Sequence, residues 1–289
     1  MIAAALLVAS AFAASAEDAL QDLWTDATEG AVWRSITSRE RGALQDAVGL
    51  LARSANMCPA ADLEEANIRL RPYDFVAERI DLGGVDVIAV HEGREHRGSG
   101  LLVLRCGNAS PLLWQAPHSF FDLHTAEITR QVFLESGARA AMWNSVHRYR
   151  SSPDENEDDP VHPADVTREF GTAFHAMTVA VAAADPGLKV VQLHGFAERA
   201  AGWDVVVRTG DARRPPFAAA GALSPLGKVA AYGKDTDELG ATTNVQGRAL
   251  NRFSLPRFLH IELSPDVRNR LRSQIDARAA IIHAASVPL

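Results

Sequence analysis

Positive charge is in short supply in this chain: 29 Lys and Arg stand against 36 Asp and Glu, a formal net charge of −7. That argues against nucleic acid as a partner, since a phosphate backbone requires a concentrated basic face. After the first residues no apolar run approaches the ~20 residues of a membrane-spanning helix, so no span is expected beyond the N-terminus. There is no internal repeat and no long low-complexity stretch. Ser119 and Ser264 lack the Gly-x-Ser-x-Gly elbow of a serine hydrolase. Cysteine is limited to Cys58 and Cys106.

The first residues are the exception. Ile2 to Ala14 form an apolar stretch that ends in Ala14-Ser15-Ala16 before Glu17 and Asp18. This is the pattern of a signal-peptide core and its small-residue cleavage site, too short to cross a bilayer in a mature protein. No Lys or Arg precedes it, and the alternative is an N-terminal helix of the fold. Residues 1–16 are therefore expected to be a signal peptide, and the mature protein to be periplasmic or secreted. In that oxidising setting Cys58 and Cys106 would pair, clipping an N-terminal helical segment to a central strand; two separate buried thiols are the alternative. Residues 17–289, with 47% of the whole chain hydrophobic, are expected to form one domain, residues 17–72 being a helical segment packed on it.

Helical spacing of Leu44, Ala47, Val48 and Leu51 predicts a helix over 39–55. Strands are expected at 75–80, 85–90 after the Gly83-Gly84 turn, 101–104, 112–116, 138–143, 190–193, 205–207 and 258–263. Helices are expected from Asp122 to about Glu135, from about Pro163 to Ala184, near Leu226 to Tyr232, and from Pro265. Alternation of this kind predicts an α/β fold: a mostly parallel or mixed central sheet with helices on both faces and ligands beyond the carboxyl ends of the strands. His118, Asn144, His194 and Glu262 all fall at or just past such ends. The acidic stretch from Ser151 to Pro163 reads as a lid or as a solvated loop. The polar run Thr243 to Arg248 reads as an ordinary turn or as a substrate-orienting one.

Two histidines and a carboxylate make an open-sided zinc site, three protein ligands with a fourth position left for water. His118 and Asp122 share one strand-to-helix turn, and His194 arrives from another strand. Asp122 could instead cap the following helix, and His124 is a rival ligand. Glu262 alternates with Ile261 and Leu263 in an apolar strand, where desolvation should raise its pKa and suit it to be a general base. Pairing with Arg257 or Arg268 is the structural alternative.

The ordered islands Pro117-His118-Ser119, Asp122, Asn144-Ser145-Val146-His147-Arg148, Leu193-His194-Gly195 and Ile261-Glu262-Leu263-Ser264 with Arg268 resemble N-formylglutamate amidohydrolases and, more distantly, zinc carboxypeptidases, over roughly residues 85 to 275. The resemblance implies a phosphorylase/hydrolase-like α/β fold, one zinc ion per chain on His118, Asp122 and His194, and Glu262 as the base. It also implies that Asn144 and Arg148 receive a substrate carboxylate, with Arg130, Arg248 and Arg268 as rivals. Two departures stand out: the carboxypeptidases place a glutamate three positions after the first histidine, and their Asn and Arg are adjacent. The expected activity is zinc-dependent hydrolysis of an amide or peptide bond in a small molecule or peptide bearing a carboxylate. Esterase or deacylase activity on the same metal, or a noncatalytic periplasmic binding protein on the same fold, are the alternatives.

Overall fold

The computed structural model describes residues 2–198, 202–210, 214–251 and 257–289; Met1, the first residue of the expected signal peptide, lies outside them. Helix α1 (Ile2–Thr28) runs unbroken through positions 16 and 17, with Leu20 buried against the core. α2 (Ser38–Ser54) starts on a capping box, in which the Thr37 side chain accepts from the Glu40 N–H and Glu40 accepts from the Thr37 N–H. α3 (Ala60–Leu70) follows. β1 (Phe75–Asp81) and β2 (Asp86–Glu92) form the expected antiparallel hairpin, its turn made possible by Gly83 and Gly84 at φ of 63° and 94°. Next come β3 (Leu101–Arg105), β4 (Ser110–Ala116), α4 (Thr125–Ser136), β5 (Ala138–Trp143), α5 (Ala173–Ala184) and β6 (Lys189–Gly195). The chain closes with β7 (Val205–Thr209), α6 (Phe217–Ala222), β8 (Val229–Ala231), α7 (Val245–Leu250), β9 (Phe258–Leu263), α8 (Pro265–Ser273) and α9 (Ile275–Ser286).

The nine strands form one mixed sheet in the order β1-β2-β3-β5-β4-β6-β9-β7-β8. Its centre, β5, β4, β6 and β9, is parallel, so the carboxyl ends of these four strands share one edge, where a site is expected. Alternation along each strand divides the core in two. Trp114, Trp143, Leu193 and Ile261 pack beneath α1, α4, α8 and α9, while Leu113, Met142, Val190 and Phe258 pack beneath α2, α3 and α5. The indoles of the fully buried Trp114 and Trp143 are satisfied, donating to Ser136 Oγ and Ala126 O, each at 3.0 Å, so burial of each can contribute ~2–3 kcal/mol without an unpaired N–H. Cys58 and Cys106 form a disulfide, with Cα atoms 5.7 Å apart, that joins the segment after α2 to the end of β3.

Four expected elements differ. The helix predicted from Pro163 begins at Ala173, because Thr172 caps it, accepting from the His175 N–H, while Asp165 accepts from the N–H and hydroxyl of Thr167 and bends the chain away from helix. The helix predicted near Leu226–Tyr232 is mostly strand, since 229–231 pair in parallel with β7. The run predicted as a turn at Thr243–Arg248 contains the start of α7, capped by Asn244. The final helix breaks at Gln274, which is extended at φ −121°, ψ 113°.

Candidate metal centre

All the chemistry lies on the α5/α7 side of the sheet at the shared carboxyl edge. Period-2 alternation puts Gln192 and His194 of β6 on that face, and the parallel register sets them beside His260 and Glu262 of β9. His118 comes from the turn after β4. His118, His194, His260 and Glu262, with Asp122, Arg148, Thr167, Arg168 and Asn244, line a cleft of about 460 Å³ whose remaining wall is largely apolar, including Phe121, Phe196, Leu239 and Ala241. Leu239 and Ala241 have φ of 61° and 42°, a conformation that non-glycine residues adopt only when their surroundings impose it.

His118, Asp122 and His194 are all buried and converge. His118 Nδ1 lies 3.2 Å from His194 Nδ1 and 3.2 Å from Asp122 Oδ2, and His194 Nδ1 lies 3.3 Å from the same oxygen. Tetrahedral zinc with bonds of about 2.0–2.1 Å separates its donor atoms by about 3.3–3.4 Å, so this triangle fits one zinc ion. The backs of the rings agree. His118 Nε2 faces Asp165 Oδ1 at 3.1 Å, and His194 Nε2 faces Gln192 Oε1 at 3.3 Å. Both partners accept hydrogen bonds, so each ring can donate from Nε2 while its Nδ1 turns inward to Asp122, where a metal ion would take the Nδ1 lone pairs. Arg148 brings positive charge, with Nη1 3.2 Å from His118 Nδ1 and Nη2 on Asp165.

The titration of the groups follows from these contacts. Burial works to lower the His118 pKa, but Asp122 and Asp165 outweigh it and hold it above the ordinary value. His194 is lowered to about 4 by burial, with the neighbouring His260 and His118 adding to the effect. Burial would raise both acids, yet Asp122 is held far below the usual carboxylate range by His118 and His194, and Asp165 by His118, Arg148 and Thr167.

Glu262 departs from expectation. Its burial does act to raise the pKa, but His260, 3.0 Å from Oε1, and His194 outweigh that and lower it. The partner of this buried acid is thus His260, and neither Arg257 nor Arg268. Arg257 donates to Leu188 O and Ala182 O. Arg268 donates to Leu263 O at 2.9 Å and fills the space behind Gly195, where a Cβ would lie 1.8 Å from its guanidinium. That packing requires glycine after His194.

Of the residues singled out in the sequence, the cleft gathers His118, Asp122, His194, Glu262 and Arg148. It does not gather Asn144, whose side chain donates to Val146 O and accepts from the Ser145 N–H, nor Arg268, nor Arg130, whose guanidinium lies over Trp24. Arg248 donates to Thr242 O. His124 is 3.9 Å from Glu127 and outside the triangle. Asp122 does not cap α4, since His124 holds that position. No residue of 151–163 lines the cleft; this segment is closed on itself by His162 and Glu155, 2.9 Å apart. Ser264 caps α8 and Ser119 donates to Ala116 O.

Sequence reasoning missed His260, although its position two residues before Glu262 puts both on one face of a strand. It also missed Asp165, hidden in an expected helix, and Gln192, two residues before His194 on the same face.

No protein family and no curated protein matches this chain. Among solved structures it is similar to an N-formylglutamate amidohydrolase from Ralstonia eutropha JMP134, at 16% identity over 64% of this chain and 94% of that one, with a TM-score of 0.38. It is also similar to a succinylglutamate desuccinalase from Vibrio parahaemolyticus, at 12% identity over 75% of this chain and 80% of that one, with a TM-score of 0.39.

Proposed function

We propose that this protein is a zinc-dependent hydrolase that cleaves an amide or peptide bond in a substrate carrying a carboxylate. The observation that carries the reading is the triangle of His118 Nδ1, His194 Nδ1 and Asp122 Oδ2, with edges of 3.2, 3.2 and 3.3 Å, open to a cleft that also presents Glu262. These three residues would hold the ion. When bound, zinc supplies a Lewis acid for the scissile carbonyl and lets water lose a proton near neutral pH.

The chain's own groups do the rest. Glu262, kept ionised by His260, accepts a proton from the attacking water at the oxygen His260 does not hold. It then delivers that proton to the leaving nitrogen as the C–N bond breaks. Arg148 and Arg168 place positive charge on the cleft wall, where a substrate carboxylate would be attracted and oriented. Asp165 anchors both His118 and Arg148, so the metal side and the anion side of the site share one support. The disulfide supports a periplasmic or secreted location, with residues 1–16 as the export signal.

The test is elemental analysis of the purified protein followed by turnover on N-acyl amino acids, short peptides and matched esters. About one zinc per chain and cleavage that stops when the ion is chelated are expected. A zinc-free protein, or cleavage indifferent to chelators, would defeat the proposal.

A further inference from the structure

A chain of buried amides leads from a helix cap to His194, and its polarity is set at both ends by backbone groups. The Gly247 N–H can only donate, and it donates to Asn244 Oδ1 at 2.9 Å. Asn244 must therefore turn its amide nitrogen toward Gln192, and Nδ2 donates to Gln192 Oε1 at 2.6 Å. The second anchor is Val166 O, which can only accept. It accepts from Gln246 Nε2 at 2.8 Å, which turns Gln246 Oε1 toward Gln192 Nε2, 3.4 Å away. Both anchors impose the same orientation on Gln192. The amide then continues into the sheet, donating to Gln115 Oε1 at 2.9 Å, and Gln115 donates to Thr178 Oγ1 at 2.7 Å. Gln115, Gln192, Gln246 and Thr178 are fully buried, and Asn244 nearly so, so a reversed amide would leave several polar groups unpaired at ~1–3 kcal/mol each.

We infer that Gln192, polarised by Asn244 and Gln246, is a positioning residue that holds His194 in its Nε2–H tautomer and so keeps the Nδ1 lone pair directed at the metal. With Oε1 fixed toward the imidazole, 3.3 Å from Nε2, the neutral ring makes that bond only if its proton is on Nε2. The other tautomer would set two acceptors face to face at Nε2 and turn its N–H to Asp122 Oδ2, 3.3 Å from Nδ1, so the tautomer reports which of the two acceptors, Gln192 or Asp122, holds the ring. This inference rests on the zinc reading for its purpose, while the tautomer itself can be observed without any metal.

Long-range proton–nitrogen NMR spectra of the full-length protein at pH 8, before and after zinc addition, read the tautomer; chelator competition reads the zinc Kd. Wild-type His194 should be protonated on Nε2 even without zinc. Gln192→Leu, which removes the acceptor, should give a mixture of tautomers and weaken zinc binding ~10–100-fold, the range for lost support of a metal ligand. Asn244→Asp keeps the oxygen that caps α7 but replaces the donor with an acceptor. It should turn Gln192 over and move His194 toward Nδ1–H while far-UV circular dichroism stays unchanged, an effect that a merely structural cap would not produce. A wild-type proton on Nδ1, an unchanged tautomer in Asn244→Asp, or an unchanged zinc Kd in a folded Gln192→Leu would each overturn the inference. Should Gln192→Leu not fold, the wild-type and Asn244→Asp spectra decide it. If the wild type shows the Nε2–H tautomer and takes up no zinc, the relay stands and the hydrolase reading falls.

Discussion

The Nδ1 atoms of His118 and His194 face each other at 3.2 Å, one from the turn after β4 and the other from the end of the neighbouring parallel strand β6. Each ring is held from behind by an acceptor, Asp165 or Gln192, and both inward atoms face Asp122 Oδ2. A zinc ion in this triangle would take the place of the proton that Asp122 favours on His118.

Metal retention should follow the triangle. His118→Ala and His194→Ala are each expected to abolish stoichiometric zinc while leaving far-UV circular dichroism nearly intact, and Asp122→Asn to weaken binding. His124→Ala should retain zinc at the wild-type level. Elemental analysis of the four variants decides it; zinc loss in His124→Ala alone would mean that the third ligand is misassigned.

Catalysis should separate from binding at Glu262. Glu262→Gln keeps shape and hydrogen bonding to His260 but cannot accept a proton, so turnover should fall at least ~100-fold with zinc content and KM little changed. Steady-state kinetics with parallel metal analysis gives the answer, and wild-type kcat in this variant would rule out the base.

Two arginines, the half-buried Arg148 and the buried Arg268, should behave in opposite ways. Arg148→Ala is expected to raise KM ~10–100-fold for substrates with a carboxylate and to spare those without one, the scale of a lost charge-assisted hydrogen bond. Arg268→Ala should lower thermal stability with selectivity unchanged, because its guanidinium serves the carbonyl of Leu263 and the space behind Gly195. Equal selectivity of Arg148→Ala and wild type across the panel would remove Arg148 from the substrate.

Acid stability should respond to His175, buried on α5, its Nδ1 without a partner and its pKa lowered to about 4 by desolvation. The folded value lies below the unfolded ~6.5, so the unfolded chain binds more protons between them. Stability from this group is present in full above pH 6.5 and is lost as pH falls toward 4, by up to about 3 kcal/mol. His175→Leu should flatten that part of the curve. Urea unfolding of both proteins at pH 7.5 and 4.5 measures it, and parallel losses in the two would show that His175 contributes nothing.

The disulfide encloses a 48-residue separation, for which the chain-entropy relation gives about 4 kcal/mol. Protein from an oxidising compartment should show no free thiol when denatured without reductant, and the Cys58→Ala/Cys106→Ala double variant should lose stability on that scale. A loss well under 1 kcal/mol would contradict it.

Local pattern made much of this protein legible before any coordinates. Short apolar runs bounded by turn signals marked eight of the nine strands, and helical spacing and end signals marked α2 and α4, because these depend on residues only a few positions apart. The same signals put His118, His194 and Glu262 at the ends of strands, and the four-residue step from His118 to Asp122 needs no more than one turn. What failed was whatever local preference and tertiary contacts decide differently. Alanine-rich sequence near Pro163 reads as helix, yet Asp165 is worth more bound to His118 and Arg148 than in a helical turn. Asn144 satisfies backbone groups of its own loop, while Arg268, on α8, donates to the carbonyl of Leu263 at the end of β9.

By itself the sequence determined the alternation of elements, the two faces of each strand and the residue types at the strand ends, since each is a property of neighbours along the chain. Only the tertiary structure decided that β6 lies between β4 and β9, strands far from it in sequence, and this order is what sets His118, His194 and Glu262 around one cleft. It also decided which buried partner each of them has. A hydrogen bond under 3.5 Å requires fixing two groups in space, and no spacing along a chain encodes that until the sheet has closed.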